Sequence, residues 1–215
     1  MIRVLLADDH ELIREGIKQV LNEAQDIEVV AEANNGEEAI SRYNQCEPDV
    51  AILDISMPVL DGLATLKQIV AQHPDANILV LTMHPEEQYA IRTLKAGAKG
   101  YITKGTTPEE LYRAVRSVAH GRRYLSDEGQ SSVLTQLIDI KATSSPLQQL
   151  SDRELQVLRL IAEGLKTSNI AKTLRLDVKT IETYRSRLMN KLNFQTNAAL
   201  ILFAERNGLV STEPK

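Results

Sequence analysis

A single cysteine, Cys46, stands in 215 residues. No disulfide framework within the chain and no cysteine-based zinc cluster can be built from it, and the scarcity fits a reducing cytosol. Long apolar runs are equally scarce: the longest, residues 198–204, is far short of the roughly 20 residues that a membrane-spanning helix needs. The N-terminal segment turns polar at Asp8, Asp9 and His10 and lacks the apolar core of a signal peptide. A cytoplasmic protein without membrane association is the expectation. Also missing are the glycine-rich phosphate loop ending in Gly-Lys-Ser/Thr and the GxGxxG fingerprint of dinucleotide sites. What remains is 43% hydrophobic and 25% charged, an ordinary globular composition long enough for one large domain or two small ones.

Charge becomes informative once it is divided. Residues 1–150 carry 14 Lys+Arg against 22 Asp+Glu, a net of −8, whereas residues 151–215 carry 11 against 7, a net of +4. Within 166–191 the basic residues Lys166, Lys172, Arg175, Lys179, Arg185, Arg187 and Lys191 face only Asp177 and Glu182. An acidic front and a basic tail point to a polyanionic partner for the C-terminal part.

Over the first 120 residues, short β-branched apolar runs alternate with longer stretches of helical period, the pattern of repeated βα units and a parallel sheet. The spacing predicts strands at 3–7, 28–33, 50–54, 77–82 and 100–103. Helices are predicted at 12–22, 36–45, 63–72, 86–96 and 108–120. Together they make one doubly wound α/β domain over residues 1–121. Residues 122–149 turn Ser-, Thr- and Gln-rich and read as a linker, with an amphipathic piece at 133–140 able to form one short helix. From Leu150 to Lys215 the signals are all helical. Ser151-Asp152-Arg153-Glu154 has the form of a capping box, and Leu155, Leu158, Ala162 and Leu165 form a buried stripe. Helices at about 167–174, 178–192 and 197–207 complete a small all-α four-helix domain.

In an open parallel sheet, the loops after the strands converge on one edge, where ligands bind. That edge receives Asp8 and Asp9 after the first strand, Asp54 after the third, Thr82 at the end of the fourth and Lys104 after the fifth. Three carboxylates together are unfavourable unless a cation joins them. Hard oxygen donors with no histidine or cysteine among them point to Mg2+. Asp54 can then act as a carboxylate nucleophile toward phosphorus, with Thr82 and Lys104 binding the incoming oxygens. His10, His73, His84 and His120 are scattered and are read as having no role in the site.

The residues Asp8-Asp9, Asp54-Ile55-Ser56-Met57-Pro58, Asp61-Gly62, Thr82 and Ala96-Gly97-Ala98-Lys99-Gly100-Tyr101-Ile102-Thr103-Lys104 resemble the receiver domain of two-component response regulators. The resemblance implies a flavodoxin/CheY-like five-stranded sheet of order 2-1-3-4-5. It implies that Asp54 accepts a phosphoryl group from a sensor histidine kinase, and that Asp8, Asp9 and Asp54 hold Mg2+ with the backbone carbonyl of Ser56. Lys104 would pair with the phosphoryl group. It further implies a switch in which the Thr82 hydroxyl moves toward that group and Tyr101 turns inward.

Along the third C-terminal helix, Ile181, Leu188 and Leu192 recur at helical spacing and pack inward. The opposite side presents a polar strip bordered by cations, suited to a major groove. Lys179, Thr180, Tyr184, Arg185, Arg187 and Lys191 are expected to contact the DNA backbone, and Glu182, Thr183 and Ser186 to reach base edges. With the preceding helix this forms a helix-turn-helix. Residues 150–210 resemble the LuxR-type DNA-binding domain through Leu150-Ser151-Asp152-Arg153-Glu154, Glu163-Gly164-Leu165, Ile170-Ala171 and Lys179-Thr180-Ile181-Glu182-Thr183-Tyr184-Arg185. Receiver plus this domain is the NarL/FixJ arrangement. Where relatives carry serine caps, this chain has Lys166, which shifts the expected cap to Thr167, and Asp177, which is expected to cap in its own right. Glu182 replaces a common lysine and can accept from cytosine N4.

The expected function is therefore a phosphorylation-dependent transcription regulator, not an enzyme, that binds a double-stranded DNA operator and forms a homodimer on phosphorylation or on DNA. The alternative is a DNA-binding regulator governed by protein contacts without phosphorylation.

Overall fold

The computed structural model describes residues 1–83, 86–126, 129–130 and 146–209. The helix expected at 133–140 lies outside the described residues. In chain order the first part comprises β1 (Ile2–Ala7), α1 (Glu11–Glu23), β2 (Ile27–Ala33), α2 (Gly36–Cys46), β3 (Val50–Leu53) and α3 (Gly62–Gln72). It continues with β4 (Ile78–Thr82), α4 (Glu86–Lys95), β5 (Gly100–Thr103), α5 (Pro108–Ala119) and β6 (Tyr124–Leu125). After a 3-10 turn at Pro146–Gln149 come α6 (Asp152–Ala162), α7 (Thr167–Thr173), α8 (Val178–Leu192) and α9 (Asn197–Arg206). The chain divides into two compact units, Met1–Gln136 and Leu137–Lys215.

The first unit is built on a parallel sheet of order β2-β1-β3-β4-β5-β6. The sequence pattern predicts five strands and the sheet has six. Tyr124 and Leu125 pair in parallel with Gly100 and Tyr101, a two-residue edge strand too short for any periodicity to announce. Alternation along the strands sends Val4, Leu6, Val50, Ile52, Leu79, Leu81 and Ile102 to one face, where they pack with Leu21 of α1 and Leu111, Ala114, Val115 and Val118 of α5. Right-handed crossovers place α2, α3 and α4 on the other face. A central strand such as β3 is buried at every residue, which is why it reads as a continuous apolar run. Each such large side chain contributes roughly 1.5–3 kcal/mol of burial.

Helix starts fix the loops. Asn35 accepts from the Glu38 amide at 3.0 Å, Asp61 from the Ala64 amide at 2.7 Å, and Thr107 from the Glu110 amide at 3.3 Å ahead of Pro108. Each such cap is worth about 1 kcal/mol. The Asp61 cap starts α3 beside the end of β3. Gly62 is required there: a Cβ on it would lie 2.0 Å from the carbonyl oxygen of Asp54.

In the second unit, α6 opens with the predicted capping box. The Ser151 amide donates to Glu154 Oε2 at 2.7 Å and the Glu154 amide to Ser151 Oγ at 3.3 Å. Two expected caps differ. The helix α7 begins at Thr167 with Lys166 itself in the cap position, and neither Lys166 nor Asp177, the residue before α8, makes a side-chain cap bond. Lysine has no acceptor to offer. At both starts the preceding residue's backbone carbonyl takes the turn: Lys166 O from Asn169 and Ile170, and Asp177 O from Thr180 and Ile181.

Candidate functional site

The strand order reverses between β1 and β3, so a crevice opens at their carboxyl ends. Backbone pairing runs one rung past the strands and fixes what stands there. The Asp8 amide donates to Ala33 O at 3.0 Å, the Asp54 amide to Ala7 O at 2.9 Å, and the Lys104 amide to Thr82 O at 2.9 Å. Asp8 and Asp54 are 1% and 2% exposed. Lys104 Nζ lies 2.5 Å from Asp8 Oδ2 and 3.0 Å from Asp54 Oδ2, its side chain only 5% exposed. One oxygen each of Asp9 and Asp54 is buried without a hydrogen-bond donor.

These contacts set the electrostatics. Burial would lower the Lys104 pKa, but Asp54 and Asp8 outweigh it and hold the ammonium above its ordinary 10.5. Burial pushes Asp9 above its ordinary 3.8; Asp54 and Asp8 add to the rise and His10 opposes it. Three carboxylates against one ammonium leave two negative charges, which a divalent cation would balance. Donor atoms of Asp8, Asp9, His10 and Asp54 all lie within 4.8 Å of one another. The orphaned oxygens and the three carboxylates, hard donors all, fit an octahedral cation of the Mg2+ kind.

Thr82 closes β4 and is fully buried. Tyr101 lies on β5 beside Val80 and is 0% exposed, so the inward turn expected of its ring starts from a ring already enclosed. Ser56 sits in the turn two residues beyond Asp54, followed by Val59, a β-branched residue at φ +67°. Left-handed backbone is disfavoured for such a residue, and the close approach of Gly62 to Asp54 holds the turn from its far side.

The second candidate surface is α8. Ile181 and Leu188 are buried, and Leu192 is half-buried. Lys179, Glu182, Thr183, Ser186 and Arg187 are exposed; Thr180, Tyr184 and Arg185 are half-buried. The Arg187 guanidinium lies 5.9 Å from the Tyr184 ring centroid, and Thr183 Oγ1 donates back to Lys179 O at 2.9 Å. Lys191 is placed differently from the other cations. Its Nζ donates to Glu154 Oε2 at 2.7 Å and to Gln149 O at 3.2 Å, so its charge serves the base of α6 instead of an outer strip. Burial opposes ionisation of Glu154, but bonds from Lys191 and Ser151 outweigh it and hold the carboxyl below its ordinary 4.5. Arg153 spans from α6 to the turn between α7 and α8, donating to Leu174 O at 3.1 Å.

An acid pocket at the switch point and a turn-linked helix pair in a second unit recur together in known proteins. Residues 4–116 match the response regulator receiver domain, and residues 148–204 match the bacterial regulatory proteins of the luxR family. The chain is a two-component response regulator of the NarL/FixJ type. It is 41% identical over 214 residues to the response regulator UvrY of Escherichia coli K12, covering 99% of this chain and 98% of that one. A structure of the Salmonella typhimurium response regulator RcsB superposes with a TM-score of 0.75 at 30% identity, over 96% of this chain and 98% of that one. RcsB bound to the promoter rprA with the phosphomimetic BeF3− gives 0.69 at 29% identity, over 95% and 98%. The regulator's fold and its role as a phosphorylation-dependent transcriptional regulator follow from this membership. Among its described residues no helix is long and apolar enough to cross a membrane.

Two residues of this response regulator escape sequence reasoning. His10 reads as a stray histidine, yet its amide donates to Asp8 Oδ1 at 2.9 Å and its Nδ1 lies 3.0 Å from Asp9 Oδ1. Its position directly after the acid pair is the signal that would have found it. Arg14, one turn into α1, donates to the Asp8 carbonyl at 2.7 Å and to Glu32 Oε2 at 3.1 Å, tying the acid turn to β2. No local pattern marks that contact, which spans 18 residues to Glu32.

Proposed function

We propose that residues 1–121 are a phosphoacceptor domain that controls DNA binding by residues 150–215, with 122–149 as the connector. The observation that carries this reading is the Asp54 carboxylate, with one oxygen paired to Lys104 and the other buried without a donor. An Asp54 oxygen attacks phosphorus while the bond from phosphorus to the donor nitrogen of the kinase's phosphohistidine, protonated on its other ring nitrogen, breaks, leaving an acyl phosphate and a neutral imidazole. Lys104 pairs with the new phosphoryl oxygens, and Thr82 supplies a hydroxyl from the end of β4. Asp8, Asp9, Asp54 and the Ser56 carbonyl would hold Mg2+, whose positive charge offsets the charge of the incoming group. The phosphoryl group carries about two negative charges where the carboxylate carried one, which favours an arrangement in which Thr82 and the surroundings of Tyr101 close over it.

The receiving surface is α8. Lys179, Thr180, Tyr184, Arg185 and Arg187 meet phosphates, Glu182, Thr183 and Ser186 meet base edges, and Lys191 reaches a phosphate only by sharing or leaving Glu154. One such helix offers few contacts, so a homodimer on successive major grooves binds far more tightly than a single copy. The cytoplasm, where kinase and operator are both at hand, is the setting.

The test is operator affinity measured against salt with and without acetyl phosphate and Mg2+. The wild-type chain should gain affinity with the donor and carry an acid-labile phosphate. Asp54→Asn should do neither. A gain that persists in Asp54→Asn overturns the assignment and leaves regulation to protein contacts.

A further inference from the structure

His10 stands where the first turn of α1 begins, but its ring does nothing for the helix: it makes no cap bond. Its backbone is pinned to the pocket by the bond to Asp8 Oδ1, and its ring nitrogen is turned toward the acids. Nδ1 lies 3.0 Å from Asp9 Oδ1 and 3.5 Å from Asp8 Oδ1. The former contact lacks hydrogen-bond alignment, since that Asp9 oxygen remains without a donor. In an octahedral shell with bonds near 2.1 Å, neighbouring ligands are about 3.0 Å apart and opposite ones about 4.2 Å. The four donors of Asp8, Asp9, His10 and Asp54 fall within 4.8 Å of one another, slightly wider than that shell and close enough to be drawn onto one ion. The buried Asp54 oxygen without a donor marks the inner side of that space, and the ring, 58% exposed, closes its outer side.

We propose that His10 is a nitrogen ligand of the pocket's divalent cation and tilts the site toward first-row transition metals over Mg2+. The inference rests on the reading that this pocket binds a divalent cation. Mg2+ favours oxygen donors and gains little from an imidazole, whereas Mn2+, Ni2+ and Zn2+ accept one, with affinity rising along the first row toward copper. A pocket of three carboxylates alone is a hard site; the same pocket with one imidazole is a mixed site that the later metals occupy first. Arg14 supports the arrangement from behind, holding the Asp8 carbonyl and so the turn that carries both acids and the ring.

The full chain is titrated calorimetrically with Mg2+ and with Ni2+, counting only the Ni2+ that Mg2+ displaces, for wild type, His10→Ala and His10→Gln. Both variants remove the imidazole, and matched thermal melting without metal establishes that they fold. Ni2+ affinity should fall at least about tenfold, the lower end of what even an outer partner of a metal ligand costs, while Mg2+ affinity holds. Selective broadening of the His10 ring resonances by Mn2+ should accompany wild-type binding. An unchanged ratio of Ni2+ to Mg2+ affinity, or tighter binding of both metals to His10→Ala, overturns the proposal and leaves the ring a mere neighbour of the acids. Failure of the wild-type chain to bind either ion sinks the cation reading of the pocket itself.

Discussion

The acid pocket and the α8 surface handle charge in opposite ways. At the carboxyl end of the sheet, Asp8, Asp54 and Lys104 are nearly devoid of solvent, and each ion is held by another. Along α8, Lys179, Glu182 and Arg187 stand in water. In the dry pocket the Coulomb interaction between neighbours is several-fold stronger than at the surface, and backbone position decides it within fractions of an ångström. On the exposed helix each cation acts nearly alone and is screened by salt. One region is therefore sensitive to geometry and the other to the number of charges. Lys191 is the exception on α8, a cation spent on a buried carboxylate.

That contrast can be broken first without altering any charge. Gly62→Ala puts a Cβ 2.0 Å from the Asp54 carbonyl oxygen and 2.9 Å from Ile55 Cα, all backbone that cannot swing aside. Overpacking of this kind should cost about 3 kcal/mol, read as a lower denaturation midpoint of the first unit together with slower phosphorylation of Asp54. A normal midpoint would mean that the pocket tolerates shifts that its contacts forbid. Next in size, Lys191→Ala leaves Glu154 with only the Ser151 donors and should cost the second unit about 2 kcal/mol, the worth of a hydrogen bond to a charged group. Because Glu154 has a folded pKa below 4.5, its contribution is complete above pH 4.5 and is lost as pH falls through the lower folded value. Wild-type melting should therefore drop below pH 4.5 more steeply than that of the variant, whereas parallel curves would detach Lys191 from Glu154. Smallest is Lys179→Ala: folding unchanged, DNA binding weakened evenly across sequences, and the slope of log affinity against log salt reduced by about 0.9. A change confined to one operator sequence would move Lys179 from phosphate to base.

What could be read in advance follows the same physics. Strands buried on both faces and amphipathic helices write their periods into many residues, so β1 to β5 and α1 to α9 could be placed within a few residues of their ends. Residues delivered by strand ends are equally legible, since Asp8, Asp54 and Lys104 each stand one position past a strand. Features decided by one or two atoms were not. The two-residue β6 has no period. Asp177 is a good cap by type, yet its side chain makes no cap bond. Val59 adopts a left-handed backbone that its β-branch disfavours, because the turn between Asp54 and Gly62 is set by its surroundings. Lys191 looks like its basic neighbours until Glu154, 37 residues away, is found beneath it.

The edge strand bears on where the first unit can be cut. By fastening Tyr124 and Leu125 alongside Gly100 and Tyr101, the sheet takes the first residues of the connector into its own ladder. Trimming upstream of Ser126 unpicks a stitch in the hem beside Tyr101, and Gln130, which donates to Leu125 O at 3.1 Å, knots the same thread from farther along.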